Sequence, residues 1–240
     1  MGHCSRSQAA SLVKAGRVEV GRRIVRDPET PVRIGHDQIR VDGAELVGHI
    51  RIYLAMHKPR GVVTTASDEQ GRATVYHLLP PDMPWVGPIG RLDKASEGLL
   101  LLTNDPEWAA KITDPASHVD KVYHVQVNWV MTEDLLERMR RGIIVDGDRL
   151  CAKAVRMLRK GAKNSWLEIT LDHGRNRHIR RMMEGLGLNV VRLMRVAVGP
   201  LLLGDLKKGS VRPLTANEKE ELDWWLALRK RSQKTTGACR

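Results

Sequence analysis

Asp93 stands between Arg91 and Lys94 in "GPIGRLDKASEGLLLLTND", six residues ahead of four consecutive leucines. Leu99 to Leu102 are bounded by Gly98 and by the turn-forming Asn104-Asp105-Pro106, which predicts a short strand covered on both faces. Gly90 and Gly98 would let the backbone bend and a substrate approach the carboxylate closely. The plain alternative is a loop aspartate capping a turn. A second group is "DHGRNRHIRRM", with four arginines between Arg175 and Arg181. Arg177 and Arg181 would share a helix face at i and i+4, with Arg180 offset. Such a run is either a solvated basic face or a divided set, some arginines holding phosphates and one turning inward to keep a buried carboxylate ionised. The third is Tyr123 in "KVYHV", one of three tyrosines in a chain without phenylalanine. It is either a core residue or a ring that stacks on a base and whose hydroxyl handles a proton.

Other chemistries find little support. His118, His124, His173 and His178 lack a metal-ligand spacing. No phosphate-binding lysine loop is present, and "GRLDKASEG" lacks the dinucleotide-binding glycine spacing. Cys4, Cys151 and Cys239 are too far apart for a disulfide framework, so a reducing, cytoplasmic setting is expected. No apolar stretch is long enough to span a membrane, and "MGHCSRSQAA", with no apolar segment after its charges, is not expected to be a secretory signal.

Charge points to a polyanion. Forty Lys and Arg against 28 Asp and Glu give +12, as expected for a nucleic-acid partner. Five of those charges lie in the acid-free tail Arg229 to Arg240, read as disordered. The others concentrate at Arg149 to Lys163, with six basic residues, and at Arg175 to Arg181.

These residues need a scaffold. Residues 1–50 read as a small unit: a helix capped by Ser5 or Ser7 and ended by Gly16, then strands in "RVEV" and "DQIRVDGAEL". Residues 51–228 alternate strands ("RIYLAMH", the leucine run, "KVYHVQV", "WLEITL", "VVRLMRVAV") with helices ("PEWAAKI", "TEDLLERMRRG", the arginine helix, "NEKEELDWWLALRKR"). Thr215 and Glu218 form a capping box for the last helix. The expected class is α+β, a mostly antiparallel mixed sheet flanked by helices.

In this order, "GRLDKASEGLLLLTND", "KVYHVQV", "GRNRHIRRM" and "VVRLMRVAVGPLLLGDLKKGSVRPLT" resemble the motifs of the RsuA/RluB-type ribosomal pseudouridine synthases. The resemblance covers about Met56 to Leu222. Residues from about Cys4 resemble the S4 RNA-binding module, whose usual first helix lies ahead of "CSR" and is expected to be missing here. It implies that Asp93 is catalytic, attacking or deprotonating the ribose of a flipped-out uridine whose base detaches, rotates and rejoins through carbon 5. Tyr123 would stack on that base and assist proton removal, Arg180 would pair with the aspartate, and Leu193 would form the apolar wall beneath the base. Arg91, Arg175, Arg177, Arg181, Lys58 and Arg60 would bind substrate. His178 stands where glutamine is common. The resemblance implies no cofactor and no metal, a monomer, and ribosomal RNA as partner. The large-subunit (23S) RNA is favoured, with small-subunit (16S) RNA as the alternative. A noncatalytic S4-type ribosome-assembly protein is a further alternative. A glycoside hydrolase would need a partner acid, for which Glu97 is the nearby candidate.

Overall fold

The computed structural model describes residues 3–33, 36–46, 50–66 and 68–233. Helix α1 spans Arg6–Lys14, and a capping box in which Ser5 and Gln8 serve each other's amides fixes its start. Gly16, just past its end, has φ +72°. Strands β1 (Val18–Val20), β2 (Arg23–Val25), β3 (Ile39–Val41) and β4 (Ala44–Glu45) follow. They form an antiparallel sheet in the order β2-β1-β3-β4. The strand expected in "RVEV" is β1; the one expected in "DQIRVDGAEL" divides into β3 and β4 at a turn where Asp42 and Gly43 have positive φ; β2 is the strand the sequence does not predict.

Next come β5 (Tyr53–Lys58), β6 (Gly87–Ile89), β7 (Glu97–Thr103), α2 (Pro106–Thr113) and β8 (Lys121–Val127). Helix α3 (Glu133–Arg141) leads to a hairpin of β9 (Ile143–Val145) and β10 (Asp148–Leu150), then to β11 (Ala154–Lys160) and β12 (Ser165–Leu171). Helix α4 (His178–Gly185), β13 (Val190–Val198), β14 (Leu201–Leu202), β15 (Val211–Pro213) and α5 (Ala216–Gln233) complete the order. "TVYHLLPPDMP" supplies only one 3-10 turn, Val75–Leu78. The capping box of Thr215 and Glu218 is present ahead of α5. That helix runs to Gln233, so residues 229–233, expected in a disordered tail, continue it; 234–240 lie outside the described residues. No helix among the described residues is long and apolar enough to cross a membrane.

The large sheet runs β11-β12-β8-β13-β7-β5-β15, with β14 on β13 and β6 on β7. Every pairing of these strands is antiparallel except β7 with β13. Strand β7 is buried throughout, as its leucines predict. Leu99 and Leu101 pack towards α2 and α5 with Trp108, Ile112 and Leu222. Leu100 and Leu102 pack on the other face with Leu54, Met56, Val86 and Leu92. A third cluster joins Val125, Val127, Leu167, Ile169 and Leu193 of the sheet to Met182 and Met183 of α4.

Gly98 explains the parallel seam. It has φ +109°, and a Cβ there would lie 2.2 Å from the carbonyl oxygen of Arg195 and 2.6 Å from its amide nitrogen. The close approach expected at this glycine is therefore that of β13, its register partner, and not of a substrate. Gly98→Ala is expected to destabilise the fold by on the order of 3 kcal/mol, because both the clash and the backbone conformation oppose it. Urea denaturation measures this.

Candidate active site

The end of β5 carries the support for Asp93. Alternation puts Leu54, Met56 and Lys58 on one face of the strand, so Lys58 enters the core behind two apolar residues. Lys58 is completely buried. Its Nζ donates to the carbonyls of Pro59 (3.1 Å), Asp93 (3.0 Å) and Ser96 (2.9 Å). Burial pushes its amine down to about 8, against the favourable fields of Asp93 and Glu97. Lys58, expected to bind substrate at a basic turn, cannot do so: no part of it reaches solvent, and its ammonium is spent on the loop backbone. The Asp93 carbonyl also accepts from the Ser96 amide at 2.9 Å, and the Thr64 hydroxyl donates to the Leu92 carbonyl at 2.8 Å. The backbone is thus held on both sides of Asp93 while its carboxyl faces a cleft.

That cleft, a cavity of about 90 Å³, is lined by Arg91, Asp93, Ser96, Tyr123, Arg175, Arg177, His178, Arg180 and Leu193, among others. Tyr123 reaches it because β8 alternates, with Val125 and Val127 inward of it on the same face. Leu193 pairs with Val125 across β8 and β13 and is buried. Arg180 enters from α4. Its Nη2 donates to the Ala95 carbonyl at 3.0 Å, two residues from Asp93, and its Nε is buried without a hydrogen-bond partner. Burial and the neighbouring Arg177 push its pKa down, while the Asp93 charge acts the other way. The arginine thus shares the field of Asp93, but its hydrogen bond goes to the loop backbone rather than to the carboxylate.

The arginine run divides differently from expectation. The helix starts at His178, and Arg177 is its N-cap at φ +48°. Arg177 and Arg175 line the cleft; Arg181 does not. Arg181 donates to Asp148 (2.9 Å) and to the Val145 carbonyl (3.0 Å), tying α4 to the β9–β10 hairpin. Arg181 as a substrate-binding residue is therefore corrected to a structural one. Arg60 lies outside the cleft, with a 3.5 Å contact to the Val191 carbonyl. In the 149–163 cluster, Lys153 pairs with Asp120, Arg156 with Glu168, and Arg149 donates to the Arg141 carbonyl. Arg159, Lys160 and Lys163 remain exposed.

A larger cavity of about 490 Å³ adjoins the first and shares Arg91, Tyr123, Gly174 and Arg175 as lining. Tyr123 therefore stands between two lobes. Sequence reasoning missed Lys121 and Arg195 in the second lobe, although period two puts them on the face of Tyr123 and Leu193. Among the described residues no group of three or more His, Cys, Asp or Glu is placed to hold a metal ion. Glu97 is buried in ion pairs with Arg192 and Lys208; burial pushes its carboxyl up, but the two cations outweigh that and hold it low. It is not a free second acid for glycoside hydrolysis.

A family model described as RNA pseudouridylate synthase matches residues 52–185. The chain belongs to this family. An S4 domain model matches residues 1–43. The ribosomal large subunit pseudouridine synthase B of Bacillus subtilis (strain 168) is 38% identical over 223 residues, covering 92% of this chain and 91% of the relative. An uncharacterized RNA pseudouridine synthase of Aquifex aeolicus (strain VF5) is 35% identical over 222 residues, covering 92% and 89%. A crystal structure of a pseudouridylate synthase superposes with a TM-score of 0.66 at 28% identity, covering 92% of this chain and 95% of that one. The RsuA/RluB-type resemblance and the S4-plus-synthase fold are thereby established. The protein is an RNA pseudouridine synthase, an isomerase.

Two outcomes follow from the synthase's buried cations and bases. Lys58→Met removes the lysine donor from three carbonyls, of which that of Asp93 keeps the Ser96 amide. It is expected to cost about 2 kcal/mol and to slow pseudouridine formation at least tenfold as the Asp93 loop loosens. Thermal melting and a turnover assay measure the two effects. His178 is buried and neither ring nitrogen has a hydrogen-bond partner of normal geometry, the Cys151 backbone giving the charged form only partial support. Burial first, then the charge of His173, pushes it down to about 4. Unfolded chains bind that proton near pH 6.5 and folded ones only near 4. Stability is therefore full above 6.5 and falls by about 3 kcal/mol as pH drops towards 4. His178→Gln should flatten that slope in denaturation curves taken across this range.

Proposed function

We propose that the enzyme isomerises a specific uridine of large-subunit ribosomal RNA, with Asp93 as its catalytic carboxylate. The observation that carries this reading is the convergence of Asp93, Tyr123, Arg180 and Leu193, from four separate segments, on one cleft. Similarity to the large-subunit synthase of Bacillus subtilis supports the choice of RNA. We assign residues 1–50 to an RNA-binding S4 unit and 51–228 to the catalytic domain.

A stacked, paired uridine cannot reach Asp93, so the nucleotide is everted into the cleft at a cost of a few kcal/mol, which phosphate contacts offset. Asp93 either adds to C1′ or removes the 2′ proton, and the N1–C1′ bond breaks. The freed uracil turns against the Tyr123 ring and the Leu193 side chain, and C5 bonds to C1′ as the Asp93–C1′ ester bond breaks on the first route, or as Asp93 returns its proton to C2′ on the second. The C5 proton leaves with help from Tyr123, while N1 ends protonated, so the product has the atoms of the substrate. Arg180 keeps the Asp93 loop in register through Ala95 and adds positive field beside the carboxylate. Arg91, Arg175 and Arg177 ring the opening and meet the RNA backbone.

Asp93→Asn preserves shape and removes the charge. It is expected to abolish pseudouridine formation, by more than about 10⁴-fold, while rRNA binding persists. Pseudouridine mapping in 16S and 23S RNA from cells with and without the gene checks the target. A missing modification in 16S alone would overturn the large-subunit assignment, and full activity of Asp93→Asn would overturn the mechanism.

A further inference from the structure

The lobe on the far side of Tyr123 carries more positive charge than its neighbours neutralise. Arg195 is only 5% exposed, its Nε donates to the Leu99 carbonyl at 2.7 Å, and its side chain is part of the lobe's lining. No carboxylate among the described residues pairs with it, nor with Lys121 or Arg91. The acids of the lobe are engaged elsewhere. Asp172 bonds His173 at 2.6 Å and contacts His118 at 3.5 Å, and Asp114 accepts from the Ala116 amide at 2.9 Å. Asp120, next to Lys121, is held by Lys153 at 2.7 Å. Burial, then the charge of Arg195, pushes the Lys121 amine down to about 8, against weaker support from Asp120 and Asp172. Two neighbouring cations, Arg195 buried and Lys121 half-buried, with no carboxylate in direct contact and only the more distant fields of Asp120 and Asp172, are costly unless an anion completes the site.

We propose that this lobe is an RNA subsite in which Lys121 and Arg195 hold a backbone phosphate next to the everted uridine. It rests on the reading of the Asp93 cleft as the uridine site. The cavity of about 490 Å³ is large enough for a nucleotide, and Arg91, Tyr123 and Arg175 form the wall it shares with that cleft. A strand that sends one nucleotide past Tyr123 must carry its adjoining phosphate across the same wall. Both cations are then paired only in the bound state, and Tyr123 separates the reacting base from the next nucleotide.

Filter binding of total rRNA from cells lacking the gene, measured across salt concentrations, tests this with the full-length protein. Lys121→Met should weaken binding about tenfold at low salt and reduce the slope of log K against log salt by about one, the signature of one lost phosphate contact. The single-turnover rate at saturating RNA should stay within twofold, and Lys121→Arg should restore the slope. Unchanged affinity and slope in Lys121→Met would overturn the proposal. So would a fall in the saturating rate at unchanged affinity, which would place Lys121 in the chemistry. If inorganic phosphate raises the melting temperature of wild type and not of Lys121→Met, while the RNA slope is unchanged, a free anion occupies the lobe and the proposal also falls. The binding slope is read without turnover. A wild type that forms no pseudouridine but still loses slope on Lys121→Met would sink the proposed function and leave this subsite standing.

Discussion

One buried ammonium holds the Asp93 loop in shape. Lys58 donates to three carbonyls, two of them in the Asp93–Ser96 turn, and no water competes for it. A charge so placed is expensive, and the lowered affinity of Lys58 for its proton is the measure of that expense. It persists because three oxygens at about 3 Å share it. The gain is positional: the backbone of Asp93 is fixed through its carbonyl, so the side chain can face the cleft without being tied down itself. Around this anchor the remaining parts arrive as strand residues. Tyr123 and Leu193 are placed by the period of β8 and β13, and Arg180 by a helix clamped to the β9–β10 hairpin through Arg181 and Asp148.

Much of this was legible in the chain because the signals were local. The leucine run reads as a doubly covered strand, and β7 is buried on both faces. The alternation around Tyr123, the Pro106 start of α2 and the capping box before α5 are short-range patterns with short-range causes. What escaped were properties that depend on distant partners. Lys58 beside Pro59 and Arg60 looks like an exposed basic turn; only the strand period, extended by one residue, puts it inside. Arg177 and Arg181 are four apart, but the helix begins between them, so one faces the cleft and the other a hairpin. Gly98 reads as a bend for a ligand, whereas its missing side chain admits the backbone of a strand almost a hundred residues away.

The charge of the protein separates in the same way. Sequence clusters suggested two basic surfaces, yet half of the 149–163 run serves ion pairs or carbonyls within the fold. The cations that remain unneutralised near the cleft come from scattered places: Arg91 in a loop, Lys121 and Arg195 on neighbouring strands. A linear count of basic residues could not have separated surface solvation from a shaped positive cavity, because the distinction lies in which carboxylates stand beside each cation.

The parallel pairing of β7 with β13 has a consequence for how the protein is born. Asp93 and its lysine anchor are synthesised early, whereas the strand that lies against Gly98 leaves the ribosome about a hundred residues later. Such a contact has high sequence separation and is slow to form. Until then the leucine strand presents an open apolar edge, and the cleft lacks Arg180 and Leu193. The cleft is therefore completed only when the last third of the polypeptide has docked.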